Sequence, residues 1–383
     1  MPPRLRVGVI FGGQSGEHEV SLASARSVIA ALDPAKYEVV PIGITHRGRW
    51  LTNGDPMAIL TAGPTESAPD EIATGVALAT HPVPPSRELV PGATGQRFPT
   101  LDVVFPVLHG PHGEDGTVQG LLELAGVAYV GCGVLASAVG MDKIACKAVF
   151  AAAGLPQPRY LPIKRRDWER SPAAVIASIE AALRYPVFVK PANLGSSIGI
   201  SKAHDTTELA AALTDAARYD RRLLVEEAVP NAREIEVSVL GNDDPVASVP
   251  GEVVPSSEFY DYAAKYIDGK SGLLIPAPLP AAIAARAREL AVQAYKAIDA
   301  AGLARVDFLL GSQGDALELF VNEINTLPGF TAISMYPKLW AATGVSYVEL
   351  VDRLIDLALE RHQDKACTLT SYAGAMQSGG SDA

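Results

Sequence analysis

"ARVDFLLGSQGDALELFVNEIN", residues 304–325, is the stretch that most constrains how this chain folds. Two apolar runs, "ARVDFLLG" and "LELFVNEIN", flank the polar segment "SQGDA", and the pattern reads as a β-hairpin. Alternation sets Leu317, Leu319, Val321, Glu323 and Asn325 on one face of the second strand. Arg305, Asp307 and Leu309 share a face of the first. Two carboxylates, an amide and a guanidinium therefore continue faces that are otherwise apolar. Charge in such a place is costly unless it is paired or bound to metal. Two readings follow. Arg305 forms a structural ion pair with Asp307 or Glu323, or Asp307, Glu323 and Asn325 supply an all-oxygen ligand set suited to Mg²⁺ shared with substrate phosphates. The match of Asp307 to Glu323 across the ladder is an expectation about register.

A second stretch, "VKPANLGSSIGISK" at 189–202, gains meaning from the first. Lys190 ends an apolar strand and offers a point charge to a phosphate. The Gly195-Ser196-Ser197 turn presents backbone N–H groups and hydroxyls, and glycine lets that backbone approach closely. An ordinary hairpin with a solvated lysine is the competing reading. Lys143 in "MDKIACK" lies near a helix start; taken alone it reads as a surface charge.

Outward from these motifs the texture divides the chain. Residues 1–140 alternate short apolar strands ("LRVGVIFGG", "YEVVPIGIT", "LDVVFPVLHG") with helical segments, the pattern of a doubly wound parallel sheet. Residues 53–98, rich in Pro, Gly, Thr and Ala, read as an insertion. Residues 141–231 give a small α+β unit with strands at "PVFVKP", "SSIGISKA" and "RLLVEEAV". Its helices start at Ser171-Pro172 and at the Asp205-x-x-Glu208 capping signature. Residues 232–365 hold "EIEVSVLG", a Tyr-rich loop, a long helix from Pro280 to Gly302 and the hairpin; residues 366–383 read as a disordered tail.

With 383 residues, 48% of them hydrophobic, the chain builds two or three sizeable cores. A net charge of −11 argues against a nucleic-acid or membrane-surface partner. Three cysteines without metal-ligand spacing, no signal peptide and no apolar run of ~18 residues lead us to expect a cytoplasmic protein. "GCGVLA" at 131–136 matches Gly-x-Gly-x-x-Ala. The acidic residue a dinucleotide fold needs ~20 positions on is missing from "AAAGLP", which disfavours a nicotinamide site. "GGQSGEHEVS" and "LHGPHGEDG" fall at the carboxyl ends of strands, where open α/β sheets bind ligands. Glu17 then lies in the first turn of a helix, as a ligand contact or a helix-dipole partner. His109 reads as a loop histidine facing ligand or solvent, and Pro111 argues against tandem metal ligation with His112.

"GGQSGEHEVS", "VFPVLHGPHGEDGTVQG", "GMDK", "VKPANLGSSIG", "FYDYAAKY", "GLARVDF" and "NEINTLPGFT" occur in that order. Together, over roughly residues 5 to 360, they resemble the D-alanine–D-alanine ligase family of the ATP-grasp superfamily. The resemblance implies an ATP-grasp fold and an ATP-dependent ligation of two D-alanines through an acyl phosphate, for peptidoglycan precursors. It implies ATP as co-substrate and two Mg²⁺ (or Mn²⁺) on Asp307, Glu323 and Asn325. Lys143, Lys190, Gly195 and Ser197 would hold phosphates, and Glu226, Glu227, Val229 and Glu234 the nucleoside. Glu17 and His109 would take the first D-alanine and Ser334 the second, Lys265 would also bind substrate, and Arg305 with the Gly329 N–H would steady the oxyanion. Tyr266 would reach Ser196 and through it Glu17, making 189–202 a cover. A homodimer is the family expectation. Tyrosine at 266 favours the dipeptide over D-alanyl-D-lactate, the alternative product, while Ala263 departs from the family's "YDYEAKY".

Overall fold

The computed structural model describes residues 3–62, 100–195, 198–254, 272–313 and 316–369. Among them, three sheets follow one another along the chain. Most of the expected insertion, the end of the expected tail, and Ser196, Ser197, Ala263, Lys265 and Tyr266 lie outside the described residues.

The first sheet is built from β1 (Leu5–Gly12), α1 (His18–Ala31), β2 (Tyr37–Ile44), β3 (Trp50–Leu51), α2 (Pro56–Thr61), β4 (Val103–Val107), α3 (Thr117–Ala125) and β5 (Ala128–Tyr129). Its strand order is β3-β2-β1-β4-β5, parallel except for β3. Val7, Val9, Ile10 and Phe11 on β1 are fully buried, so both faces are covered and the strand reads as one apolar run. Pro41 and Pro106 are tolerated because each sits where its strand has only β1 as neighbour. β3 reaches only Gly43 and Ile44 of β2, and β5 only Val103 and Val104 of β4.

Two helices, α4 (Val134–Met141) and α5 (Lys143–Ala152), lead to the second sheet. That sheet comprises β6 (Tyr160–Lys164), α6 (Arg165–Arg170), α7 (Pro172–Ala182), β7 (Val187–Pro191), β8 (Ser201–Ala203), α8 (Thr206–Ala216) and β9 (Arg222–Glu227). It is antiparallel with order β6-β9-β7-β8. The residue pattern does not disclose β6, because Pro162 masks a strand that survives by lying at the edge. Asp205 caps α8 by accepting from the N–H groups of Thr207 and Glu208. Ser171 occupies the N-cap of α7 without a side-chain capping bond.

The third sheet contains β10 (Arg233–Gly241), β11 (Val246–Ala247), β12 (Gly251–Val254) and β13 (Gly272–Leu274). After α9 (Ala281–Ala297) come β14 (Gly302–Gln313), β15 (Ala316–Asn325), α10 (Met335–Thr343) and α11 (Tyr347–Ala366). Strands run β13-β12-β10-β14-β15, with β11 on β10. The long helix stops at Ala297 rather than Gly302. Asp299 takes a left-handed φ of 59°, and the N–H groups of Ala300 and Asp299 bond back to the carbonyls of Tyr295 and Lys296. That is a Schellman stop made without glycine.

α11 turns back onto the first sheet, where Leu350, Val351, Leu354 and Ile355 share a core with Val7, Val9 and Phe105. Asp352 accepts from Lys36 Nζ (2.7 Å) and Tyr37 Oη (2.9 Å). Arg361 donates to the carbonyls of Tyr129 and Gly131. "GCGVLA" is therefore packed: a Cβ on Gly302 would come within 3.1 Å of Gly131 N, so these glycines permit close approach of two sheets. We propose domain boundaries near residues 140 and 231, since each sheet's strands fall between them.

Among the described residues no helix is long and apolar enough to cross a membrane. All three cysteines are free, Cys132 and Cys146 buried and Cys367 exposed. Burial pushes the two inner thiols up to about 11 and about 12. Because the thiolate is the reactive form, a maleimide at pH 7.5 is expected to label the native protein once, at Cys367. Mass spectrometry showing rapid modification of Cys132 or Cys146 would contradict this packing.

Candidate active site

The hairpin carries an irregularity that sequence alternation does not show. Asp307 pairs with Glu323 as expected, but Phe308 pairs with Val321, so Asn322 is an extra residue in a β-bulge. Ahead of the bulge Leu319 and Val321 are buried; after it Ile324 is buried. The expected single face of Leu317, Leu319, Val321, Glu323 and Asn325 is thus wrong. The bulge turns Glu323 and Asn325 to the opposite face, where they join Arg305 and Asp307, while Val306, Phe308 and Leu310 fill the core.

On that face Glu236 of β10, Asp307 and Glu323 form one cross-strand row. Arg305 grips Asp307 through two bonds of 2.7 Å and lies 3.0 Å from Glu236. Burial works against its charge, yet Asp307 and Glu236 raise the guanidinium pKa well above normal. The structural ion pair foreseen for Arg305 is present, and it engages both carboxylate oxygens of Asp307. Asp307 and Glu323 oppose each other directly, and Asn325, opposite Arg305, also accepts from Leu327 N at 3.0 Å. Two carboxylates and an amide oxygen, without sulfur or imidazole, fit a hard divalent cation.

Two lysines arrive from other elements. Lys143, the first residue of α5, lies 3.7 Å from Glu323 and donates to the Leu194 carbonyl at 2.8 Å. It is not a surface charge. Lys190, on β7, bonds Glu226 at 3.1 Å and Asn322 at 3.4 Å. Burial opposes its charge, but Glu226 and Glu323 hold its pKa above the usual lysine value. Glu226 also pairs with Lys147 at 2.5 Å. Burial tends to raise the Glu226 carboxyl, and the two ammonium groups outweigh it and keep it below the carboxylate range. Lys147 went unnoticed in the sequence. The signal was there: it falls with Cys146 and Phe150 on the buried stripe of α5, where a lysine needs a partner.

The turn at 192–195 is anchored at its base. Asn193 N–H bonds Asp220, its amide bonds Asp142, and Lys143 N–H bonds the Ala192 carbonyl. A Cβ on Gly195 would lie 3.3 Å from Glu17 Oε2, and one on Gly110 3.0 Å from it. Glu17 thus sits between the 108–115 loop and the turn; it is the N-cap of α1, one position before the expected first turn. His109 is buried rather than exposed, with Nδ1 on the Leu327 carbonyl (3.1 Å) and Nε2 on Ser24 Oγ (3.3 Å). Burial pushes its pKa down, but Glu114 and Glu17 leave it raised. Gly329 adjoins the Ser334 hydroxyl, which accepts from Thr331 N–H at 3.1 Å. Glu234 faces Leu309 across the ladder, and Val229 packs against Gly311. Glu227 accepts from Arg184 N–H at 2.8 Å, so its side chain is engaged away from Glu226. One further group, His18, Glu19 and His46, gathers ligand atoms within 4.8 Å. Its two imidazoles stack at 3.7 Å, which sets their in-plane lone pairs side by side rather than toward a common point.

A parallel-sheet unit followed by two antiparallel sheets with acidic and basic side chains at their junction is the ATP-grasp fold. Family models described as "D-ala D-ala ligase N-terminus" and "D-ala D-ala ligase C-terminus" match residues 6–132 and 149–356. The D-alanine–D-alanine ligase of Heliobacterium modesticaldum is 54% identical over 94% of this chain and 96% of its own. That of Acetivibrio thermocellus is 50% identical over 95% and 98%. The structure of the ligase from Coxiella burnetii has a TM-score of 0.78 at 36% identity, covering 95% of this chain and 96% of its own. The VanG D-Ala:D-Ser ligase from Enterococcus faecalis also scores 0.78, at 38% identity over 93% and 100%. The chain belongs to the D-alanine–D-alanine ligase family.

Proposed function

We propose that this protein joins two D-alanines into D-alanyl-D-alanine, converting ATP to ADP and phosphate, and that it serves cell-wall precursor synthesis in the cytoplasm. The observation that carries this reading is the meeting of the Asp307–Glu323 pair with Lys143 and Lys190 where the second and third sheets adjoin. A carboxylate is a poor electrophile, so it must first be activated. A carboxylate oxygen of one D-alanine attacks the γ-phosphorus, the bond to ADP breaks, and an acyl phosphate forms. The amine of the second D-alanine attacks the carbonyl carbon, the bond to phosphate breaks, and the amine gives up a proton.

Positioning and electrostatics supply most of the catalysis in such a transfer. Lys143, Lys190 and Gly195 with Ser197 hold the triphosphate, and Glu226, Glu234, Val229 and the backbone around Glu227 hold the nucleoside. Glu17 and His109 orient the first D-alanine. Ser334 takes the carboxylate of the second, and Lys265 also binds substrate. Arg305 and the Gly329 N–H face the oxyanion. Ser196 and Tyr266 close the cover. Asp307, Glu323 and Asn325 would hold Mg²⁺ or Mn²⁺, which when bound neutralises charge on the phosphates.

The test is a product assay: enzyme, ATP, Mg²⁺ and D-alanine, with and without D-lactate or D-serine. The D-serine arm is included because of the likeness to a D-Ala:D-Ser ligase. Dipeptide and one phosphate per bond are expected with D-alanine alone. Phosphate release that requires D-lactate or D-serine would overturn the reading.

A further inference from the structure

Glu226 is 1% exposed and Lys147 2%, so neither ammonium nor carboxylate of this pair meets solvent. One carboxylate carries two lysines: Lys147 Nζ on Oε2 at 2.5 Å and Lys190 Nζ on Oε1 at 3.1 Å. The lysines differ in what else they reach. Lys190 extends to Asn322 beside the acidic ribbon, whereas Lys147 is enclosed beneath α5, 5.3 Å from the centre of the Tyr160 ring. Lys143 and Lys147 stand four residues apart on α5, so one helix face sends one lysine to the ribbon and one to Glu226.

We propose that Lys147 is a positioning residue: a permanent counter-ion for Glu226 that frees the charge of Lys190 for the nucleotide's phosphates. This rests on the assignment of Lys190 to phosphate. When phosphates draw Lys190 toward them, Glu226 loses that partner, and a buried carboxylate without a counter-ion is strongly unfavourable. With Lys147 in place Glu226 stays compensated, and Lys190 moves without that penalty. Without Lys147, Glu226 keeps Lys190 for itself, and phosphate binding has to break the last buried ion pair.

The experiment compares ATP and adenosine binding by calorimetry, with Mg²⁺ present, in wild type, K147M, K147R, K190M and E226Q. K147M is expected to weaken ATP by about tenfold or more while adenosine changes by less than about threefold. Its KM for ATP rises with kcat at saturating ATP largely kept, and K147R restores most of the loss. Equal weakening of ATP and adenosine, or no weakening of either, would overturn the proposal. K190M must itself lose the preference for ATP over adenosine. If it keeps that preference, the phosphate role of Lys190 falls and the proposal with it; if K190M loses it and K147M does not, the proposal falls alone. Should K147M fold poorly, the same change is made in E226Q, where no buried carboxylate needs compensation. There it is expected to shift ATP affinity by less than about threefold, and a tenfold loss would overturn the proposal.

Discussion

Glu323→Ala is expected to cut turnover by about a thousandfold or more while leaving the protein folded. Removing one of two opposed carboxylates from the donor set costs several kcal/mol of charge stabilisation at the phosphates, and each ~1.4 kcal/mol is tenfold in rate. Stability is expected to change little, because repulsion and attraction around this carboxylate offset each other. Glu323 faces Asp307 directly across the ladder, and like charges in that relation repel. Against that repulsion stands its attraction to Lys143, 3.7 Å away, and to Lys190; Lys143 also holds the Leu194 carbonyl and keeps an anchor. Steady-state kinetics across a Mg²⁺ titration, with a thermal melt on the same sample, measures both effects. Near-normal turnover at saturating Mg²⁺ would remove Glu323 from the metal set.

Deleting Asn322 is expected to prevent folding, whereas Asn322→Ala is expected to fold. Without the extra residue the strand regains strict alternation. Either Glu323 and Asn325 turn into the core with Phe308 and Leu310, or Leu319 and Val321 turn out of it. A one-residue slip moves every later side chain to the other face, at a cost on the order of 4 kcal/mol or more. Substitution by alanine keeps the residue count and loses the 3.4 Å hydrogen bond from Lys190. Soluble yield and thermal unfolding of the two variants decide the matter; a deletion as stable as the substitution would show that the bulge does not set the faces.

The same bulge marks the limit of what the sequence discloses. On β14 the alternation of Arg305, Asp307 and Leu309 is legible because nothing interrupts it. On β15 the alternation puts Glu323 and Asn325 on the wrong face, since a bulge is a property of two strands and only one can be read at a time. The helix stop at Asp299 was hidden for a related reason: an aspartate in a left-handed conformation does there what glycine at 302 had been expected to do. β6 was hidden by Pro162, which only its edge position permits. Lys147 could have been found, because a lysine on an apolar helical stripe implies a buried partner, although nothing in the chain names Glu226 as that partner.

The return of α11 onto the first sheet bears on how the protein is made. Strand Ala128–Tyr129 leaves the ribosome about 240 residues before the helix ending at Ala366. At ~5–20 residues per second the face that Leu350, Val351, Leu354 and Ile355 will cover waits roughly 10–50 s for its lid. A nascent chain of this protein therefore carries a bare apolar surface through most of its own translation, and a ribosome stalled before residue 347 would present it to chaperones.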